Sequence, residues 1–397
     1  MPDPQYLAGS RPARAGPSPR VRRRRRAIGA VLVIGLLVGA VVLSRSSGPT
    51  VRPVTGHGHQ VTTTVPATVP VGAGPLAAGS QPDVLPGAVL IADEDNNRLL
   101  MVDPQGRITW QFPQPGDLRP GEQFRLPDDA FFTPDGKQII ATEEEFSVIS
   151  LIDIASRRIV WRYGGPGMPG SGPNQVSNPD DAIVLPDGFV LTADIKNCRL
   201  LLIAPGQHQP YREIGTTTSA CLHRPPARWG SPNGAFPMAN GHYLVTEING
   251  DWADEIDLSG HLYWSVHPPG VRYPSDTNEI SDDVYLTVDY SVPGAIETFD
   301  RAGRLLWRYS PTGPDALHTP SLALPLPNGD IICNDDADHR VIVVDPRTDR
   351  IVWQYGVTGV AGAQPGLLDN PDGIDLAPPY SDLIVHAAMM GLPGLPR

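Results

Sequence analysis

The feature that most constrains the fold of this chain is a unit of about 40 to 50 residues that recurs along it. Each copy opens with a proline-marked segment, and the six openings read LPDDAFFT, NPDDAIVL, SPNGAFPM, YPSDTNEI, TPSLALPL and NPDGIDLA. In most copies a turn such as PDG, PNG or ANG follows, because Asp, Asn and Gly accept the backbone of tight hairpins. A repeat of this length is typical of stacked units that cannot bury their apolar faces alone.

Three further strands complete each unit. The second is apolar and ends in an acid in all six copies, at Asp93, Glu143, Asp194, Glu247, Asp289 and Asp335. The third resembles RVIVVDP, and the fourth carries a tryptophan at one register, at Trp110, Trp161, Trp264, Trp307 and Trp353. We interpret these tryptophans as packing between neighbouring units. Four short strands at this period predict an all-β fold, the β-propeller.

The ends of the repeat set the number of blades. Five complete units occupy residues 127–356, and NPDGIDLA then begins a sixth that it does not complete. The first strands of the domain, in residues 88–112, lack an opening strand. The sequence therefore predicts a six-bladed β-propeller over residues 87–391, followed by a tail over residues 392–397. Its C-terminal strand would pair beside the N-terminal strands, which removes the free sheet edge.

The N-terminal region has a different composition. Residues 1–52 carry ten Arg and one acid, so the net charge of -12 leaves -21 for the remainder. Residues 27–43 hold no charge and follow the run RVRRRRR, and no small-residue cleavage site comes soon after. This pattern predicts a basic cytoplasmic tail (1–26), a single transmembrane signal anchor (27–43) and an extracytoplasmic propeller at the cell membrane. Residues 44–86, rich in Pro, Thr, Ser and Gly, predict a disordered linker.

The acidic body of the chain limits its partners. A domain with this excess of carboxylates repels phosphate backbones, which argues against nucleic acid and favours a cation or a cationic partner. We expect the membrane as one partner, through the N-terminal helix, and a small ligand or a cell-envelope protein as another.

Three cysteines in an exported domain suggest one disulfide. Cys198 and Cys221 are near in sequence, which leaves Cys333 over. Three reduced, buried thiols are the alternative.

Two motifs of the repeat point to known families. A DxxNxR pattern or a near match occurs at Asp93, Asn96 and Arg98, at Asp194, Asn197 and Arg199, and at Asp335, Asp338 and Arg340. It resembles the NHL repeat, in which the acid and the Arg brace the turn between the second and third strands. The fourth-strand pattern VDPRTDRIVWQYG resembles the tryptophan-docking repeats of quinoprotein-like (PQQ-like) propellers. The resemblance concerns fold first.

Families with related repeats include enzymes, so the resemblance also implies an enzymatic alternative. These enzymes are quinone-dependent dehydrogenases, arylsulfotransferases, lactonases and lyases. The chain has no adjacent Cys pair of the kind some quinone enzymes use, and its openings carry Asp or Asn where arylsulfotransferase-type propellers would place a histidine. Lactonase-type or lyase-type hydrolysis is therefore the first enzymatic alternative.

The openings supply the candidate site. In a propeller the first strand lines the central channel, so the residues that begin it lie near the channel mouth. The ligand-binding candidates are Asp128, Asp129, Asp180, Asp181, Asn233, Asp276 and Asp372. Oxygen ligands that converge from several blades can hold Ca²⁺ or Mg²⁺, which resembles the axial metal of lactonase-type propellers, and we predict Asp129, Asp181 and Asp276 as the metal ligands. A structural explanation competes, because an acid after proline can accept N-H groups of its own turn.

Histidines on loops of the same face are weaker, catalytic candidates: His223, His318 and His339. The leading hypothesis is thus a membrane-anchored propeller that binds a ligand or protein on its acidic, loop-rich face, with an axial divalent cation. An enzyme that uses that metal or one of these histidines is the alternative, and a cell-envelope scaffold is a third.

Overall fold

A computed structural model describes residues 76–218 and 220–381, and these form six four-stranded antiparallel sheets. The predicted six-bladed, all-β propeller is therefore confirmed. The predicted cytoplasmic tail, the transmembrane segment (27–43), residues 44–75 of the linker, the end of the propeller range and the C-terminal tail lie outside the described residues. Of the helices in the part of the chain that is described, none has the length and apolarity needed to cross a membrane.

The strands follow the repeat. Blade 1 contains β1 (Val89–Asp93), β2 (Arg98–Val102), β3 (Ile108–Phe112) and β24 (Pro371–Leu376). Blade 2 contains β4 (Ala130–Phe132), β5 (Gln138–Glu143), β6 (Val148–Asp153) and β7 (Arg158–Gly164). Blade 3 contains β8 (Pro179–Val184), β9 (Val190–Asp194), β10 (Arg199–Ile203) and β11 (Pro210–Gly215).

Blade 4 contains β12 (Pro232–Pro237), β13 (Tyr243–Glu247), β14 (Trp252–Ile256) and β15 (Leu262–Val266). Blade 5 contains β16 (Pro274–Ser281), β17 (Val284–Asp289), β18 (Ala295–Asp300) and β19 (Leu305–Tyr309). Blade 6 contains β20 (Pro320–Pro325), β21 (Ile331–Asp335), β22 (Arg340–Asp345) and β23 (Arg350–Gly356). Short 3₁₀ helices occur at Pro82–Val84, Glu144–Phe146, Ile195–Asn197, Gly313–Asp315 and Asp336–Asp338.

The innermost strands form the central channel. Each of β4, β8, β12, β16, β20 and β24 contacts the innermost strand of the next blade, and β24 contacts β4 to complete the circle. The next strand outward in each blade is buried on both faces, because neighbouring blades pack against both. This double burial explains why the second strands read as continuous apolar runs and do not alternate.

The last strand closes the ring. Strand β24 pairs antiparallel with β1, with Ile374 opposite Ile91, so one blade is built from both ends of the domain. The predicted closure by the C-terminal strand is confirmed.

The fourth-strand tryptophans join each blade to the next. Their indole N-H groups donate to residues at the turn between the third and fourth strands of the following blade, in the pairs Trp110 to Ile154, Trp161 to Gln207, Trp264 to Arg301, Trp307 to Asp349 and Trp353 to Pro104. Blade 3 has no tryptophan there, and Arg212 donates to Leu258 O of blade 4 in its place. The predicted role of these tryptophans between blades is confirmed.

The chain contacts the propeller from Ala77 onward, within the range predicted as linker. The predicted linker extends to residue 86, but Ala77 N and Gln81 N donate to Gln354 O and Val352 O of β23, and Leu85 is buried. These bonds cover part of the outer edge of blade 6, which would otherwise expose unpaired backbone groups. The Pro, Ser and Gly composition of this stretch reflects turns as well as linker.

Candidate cation site at the propeller axis

The same backbone hydrogen bond precedes the first strand in every blade. The residue two before the opening proline donates its N-H to the acid that ends the second strand of the same blade. The donors are Arg125, Ser177, Gly230, Arg272, His318 and Asp369. In five blades the residue just before the proline has a left-handed backbone, as at Asn178 with φ 54°. The chain thus turns sharply into the channel and places the next two side chains at the axis.

The second-strand acids act as braces, as their DxxNxR context suggests. Arg98 pairs with Asp93 at 2.6 Å, and Arg199 pairs with Asp194 at 2.8 Å. Burial raises the pKa of Asp93 and of Asp194, while the adjacent guanidinium opposes that rise. In blade 6 Arg340 pairs with Asp335 at 2.8 Å, and burial raises the pKa of Asp335 to about 6. Each of these three carboxylates is thus paired with an arginine of its own blade.

The acids at the openings are in a different position. All seven predicted ligand-binding residues are buried. The first residue after the proline is Asp128, Asp180, Asn233, Ser275, Ser321 or Asp372, and the second is Asp129, Asp181, Gly234, Asp276, Leu322 or Gly373. Because residues alternate along a strand, these form two sets of side chains at the channel mouth.

Asp129, Asp181 and Asp276 converge from blades 2, 3 and 5. One carboxylate oxygen from each lies within 4.8 Å of the others. The blade between Asp181 and Asp276 contributes Gly234, and a Cβ atom there would overlap both carboxylates. On the other side a Cβ atom at Gly373 would lie 2.6 Å from Asp129 Oδ1. The absence of side chains at Gly234 and Gly373 therefore leaves space for the three carboxylates.

The facing oxygens of these three residues lack N-H and hydroxyl donors. In the described part of the chain Asp181 Oδ1, Asp181 Oδ2, Asp129 Oδ1 and Asp276 Oδ1 are buried, and only another carboxyl, such as Asp276 beside Asp181, is placed to share a proton with them. A buried carboxylate without a donor or a cation is costly, and such groups are rare in native proteins. The trio therefore requires either protons or a cation.

Further carboxylates extend the trio around the channel. Asp128 and Asp180 form a group with Asp129, and Glu94, Asp128 and Asp372 form another. Asn233 is also brought to this ring, and its amide donates to Ser275 Oγ of the next blade at 3.2 Å. The structure thus gathers all seven predicted residues around the channel mouth.

The potential at the axis is strongly negative. Burial first, and neighbouring carboxylates second, raise the pKa of Asp128, Asp129, Asp180 and Asp181 well above the ordinary range. Burial also raises the pKa of Asp276, to about 7. Protons or a positive charge at this position reduce the repulsion among these buried carboxyls.

The trio fits a hard divalent cation. All of its donors are carboxylate oxygens, which Ca²⁺ and Mg²⁺ prefer. Two oxygens that are each about 2.4 Å from one Ca²⁺ lie at most about 4.8 Å apart, and the spacing of the trio lies within that limit.

Two acids at the axis escaped the sequence reasoning. Glu94 and Glu144 each follow a second-strand acid directly and face the openings, and Glu144 raises the pKa of Asp128 and Asp180. The signal was present as doubled acids at the ends of the second strands, in Asp93-Glu94 and Glu143-Glu144.

The three candidate histidines each meet a different carboxylate. His223 Nδ1 lies 3.2 Å from Glu247, His318 Nδ1 lies 3.1 Å from Asp338, and His339 Nδ1 lies 3.4 Å from Asp369. His339 Nδ1 also accepts the N-H of Asn370. The structure therefore places the three histidines at separate pairings and not in one catalytic group.

One disulfide lies near His223, because its Cys221 is two residues before that histidine. Cys198 and Cys221 form a disulfide with their Cα atoms 5.0 Å apart, and Cys333 is free and buried. The bond ties the long loop between blades 3 and 4 to the start of β10.

The fold and the axial cluster define a six-bladed β-propeller with a carboxylate-lined channel mouth. No family model matches the chain, and no curated protein matches it. Among solved structures it is similar to a protein of unknown function from Bacteroides caccae, at 17% identity over 73% of this chain and 98% of that one, with a TM-score of 0.50.

It is also similar to virginiamycin B lyase from Staphylococcus aureus, solved with quinupristin, at 17% identity over 57% of this chain and 69% of that one, with a TM-score of 0.42. Hydrazine synthase from Kuenenia stuttgartiensis matches at 15% identity over 73% and 80%, with a TM-score of 0.44. At these identities the likeness concerns the propeller fold alone.

Proposed function

We propose that this propeller binds Ca²⁺ or Mg²⁺ through Asp129, Asp181 and Asp276 and uses the cation to bind a ligand on its acidic, loop-rich face. The observation that carries the proposal is the set of buried carboxylate oxygens of the trio that have no N-H or hydroxyl donor. A cation would balance the negative charge of these oxygens, and three protein ligands would leave coordination positions for a small ligand or for a loop of a cell-envelope protein.

The glycines at the same register support the interpretation that the three carboxylates form a binding site and are not a chance cluster. A structural acid after proline would accept N-H groups of its own turn, but the trio leaves oxygens without N-H or hydroxyl donors, while Gly234 leaves the space between two of them open. The NHL-like braces hold the surrounding second strands through separate acids, so the axial set is left for binding.

We further propose that the domain is held outside the cell membrane by the segment 27–43. The run of arginines before that segment and the absence of charge within it support this orientation. The disulfide between Cys198 and Cys221 supports an oxidising compartment, where such bonds persist.

The metal site is tested by titrating the chelator-treated, full-length chain in detergent with Ca²⁺ and with Mg²⁺ while the melting temperature and the heat of binding are recorded. A ligand present at 100 times its Kd stabilises a protein by about 2.7 kcal/mol, so saturation should raise the melting temperature clearly. Asp181→Asn should lose that rise. Asp187→Asn, an exposed turn acid of the same blade, should keep it. If neither ion changes the wild-type melting temperature, the proposal is wrong.

A further inference from the structure

Blade 4 differs from the other five blades at its second-strand acid. In blades 1, 2, 3, 5 and 6 that acid has an arginine within 4.0 Å, at Arg98, Arg162, Arg199, Arg272 and Arg340. Among the described residues no arginine pairs with Glu247, the acid of blade 4. His223 stands there instead, and a second acid, Asp254, joins it.

The three side chains form a compact group. His223 Nδ1 lies 3.2 Å from Glu247 Oε1 and 3.4 Å from Asp254 Oδ2. The two carboxylates are fully buried, and His223 is one-fifth exposed at 20%. One ligand atom from each residue lies within 4.8 Å of the others. The group is therefore closed on the inside and open to solvent at the imidazole.

One carboxylate oxygen in the group has no backbone or hydroxyl donor. Ser265 Oγ donates to Asp254 Oδ1, whereas the buried Asp254 Oδ2 meets only the His223 imidazole and the neighbouring carboxyl of Glu247 within the described residues. Glu247 Oε2 accepts Gly230 N-H, which turns Oε1 toward the imidazole. Two buried carboxylates thus face one imidazole.

The loop that carries His223 is held in place. The disulfide between Cys198 and Cys221 lies two residues before His223, and the His223 ring stacks on Trp252 with centroids 4.2 Å apart. Metal sites need ligands whose positions are fixed by surrounding contacts. Here a covalent bond and a ring contact fix the histidine above two acids that β13 and β14 hold.

We propose that His223, Glu247 and Asp254 form a second cation site, for a divalent transition metal of the Zn²⁺ class, separate from the axial site. Imidazole nitrogen combined with carboxylate oxygen suits Zn²⁺ better than Ca²⁺ or Mg²⁺. Two ligands about 2.1 Å from a tetrahedral Zn²⁺ lie about 3.4 Å apart, and the distances from His223 Nδ1 are 3.2 and 3.4 Å. Three protein ligands leave the fourth position open toward solvent.

Zn²⁺ titration of the chelator-treated, full-length chain tests this site. The wild type should bind one Zn²⁺ that His223→Gln and Asp254→Asn weaken at least tenfold, and Co²⁺ should give visible absorption bands that His223→Gln loses. Asp181→Asn, which alters the axial trio, is the matched control and should keep the Zn²⁺ and the Co²⁺ bands. The Ca²⁺ response of His223→Gln should equal that of the wild type, which also shows that the variant folds.

Two results would overturn the proposal. One is a wild type that binds no Zn²⁺ at micromolar concentrations. The other is equal Zn²⁺ affinity in the wild type, His223→Gln and Asp254→Asn. In the first case, a metal-free Asp254→Asn variant that melts above the wild type would identify the group as two carboxyls that share a proton. Because Ca²⁺ binding is read separately, failure here is distinct from failure of the axial site.

Discussion

At the residue scale, the missing side chain of Gly234 is as important to the axial site as the carboxylates beside it. Its Cβ position overlaps oxygens of both Asp181 and Asp276, and its backbone lies outside the left-handed region. The severe overlaps of an alanine side chain here are therefore with the two carboxylates, and the Phe236 ring, 3.2 Å from the Cβ position, adds a tight contact.

Gly234→Ala should weaken Ca²⁺ binding at least tenfold, because the methyl group pushes two of the three ligands apart. The change is read as loss of the Ca²⁺-dependent rise in melting temperature. Gly87→Ala is the matched control, since a methyl there meets only Tyr380 at 3.9 Å. Unchanged Ca²⁺ affinity in Gly234→Ala would show that the trio does not coordinate the ion.

The pH dependence of stability gives a second test of the axis. The pKa of Asp276 is about 7 in the folded chain and 3.8 as its ordinary value, so between those values the folded state binds more protons than the unfolded state. The free energy of unfolding of the metal-free chain therefore falls as the pH rises from about 4 to about 7. Asp276→Asn removes this contribution, so its melting temperature should drop less between pH 5 and pH 8.

The control for this experiment is the wild type with saturating Ca²⁺, whose melting temperature should also drop less over this range because the cation replaces protons on the whole trio. A metal-free Asp276→Asn variant with the full wild-type pH slope would place the titration elsewhere, for example at Glu143 or Glu297, whose pKa values burial raises to about 7.

The sequence could predict those residues of the site whose positions the repeat determines. The register after the proline is the same in every copy, so the sequence could place Asp129, Asp181 and Asp276 at one level of the channel. It could not reveal that Asp254 turns toward Glu247, because WADEI carries no repeat signal at that position. The contact of Asp254, which one blade alone forms, was therefore missed, while the openings shared by several blades were found; Glu94 and Glu144 were missed although the doubled acids recur.

At the scale of the elements, one buried ion pair holds the hairpin between the second and third strands in blades 1, 3 and 6. The Arg199 side chain is 2% exposed and donates to Asp194 at 2.8 Å. Asp194 also accepts a hydrogen bond from the N-H of Ser177. The turn between strands and the entry into the channel are thus fixed by the same carboxylate. The bond from the entry N-H is present in all six blades and explains why the acid recurs in all six, which the sequence showed without giving the reason.

Arg199→Met should destabilise the chain by about 3 to 5 kcal/mol, because removal of one partner leaves a buried carboxylate uncompensated. Arg107→Met serves as the control, since Arg107 is more than half exposed beside Asp103 and such surface pairs contribute about 0 to 1 kcal/mol. Urea unfolding of both variants measures the difference. Equal losses would mean that the brace does not stabilise the hairpin.

At the scale of the whole molecule, the ring is held shut where its two ends meet. Strand β24 supplies the innermost strand of blade 1, and Ile374 and Leu376 are buried between β1 and its neighbours. On the other side of the same junction Trp353 donates to Pro104 O. The fold therefore depends on residues that are about 270 positions apart in sequence.

Truncation after residue 370 should prevent closure of the propeller. It removes two fully buried aliphatic side chains, worth about 1.5 to 3 kcal/mol each, and exposes the apolar edge of β1. Natural domains are stable by only about 5 to 15 kcal/mol, and the loss of a whole strand adds its hydrogen bonds to that cost. We expect the product to aggregate or to show no cooperative thermal transition.

Truncation after residue 381 is the matched control. It keeps β24, the bond from Ala377 N to Ala88 O and the contact of Ser381 Oγ with Asp375 Oδ2. This chain should melt cooperatively and should retain the Ca²⁺ response, because Asp372 and Gly373 remain at the axis. A cooperative transition in the shorter chain would show that five blades and the remaining strands close without β24, and the two-ended blade would then not be what holds the ring together.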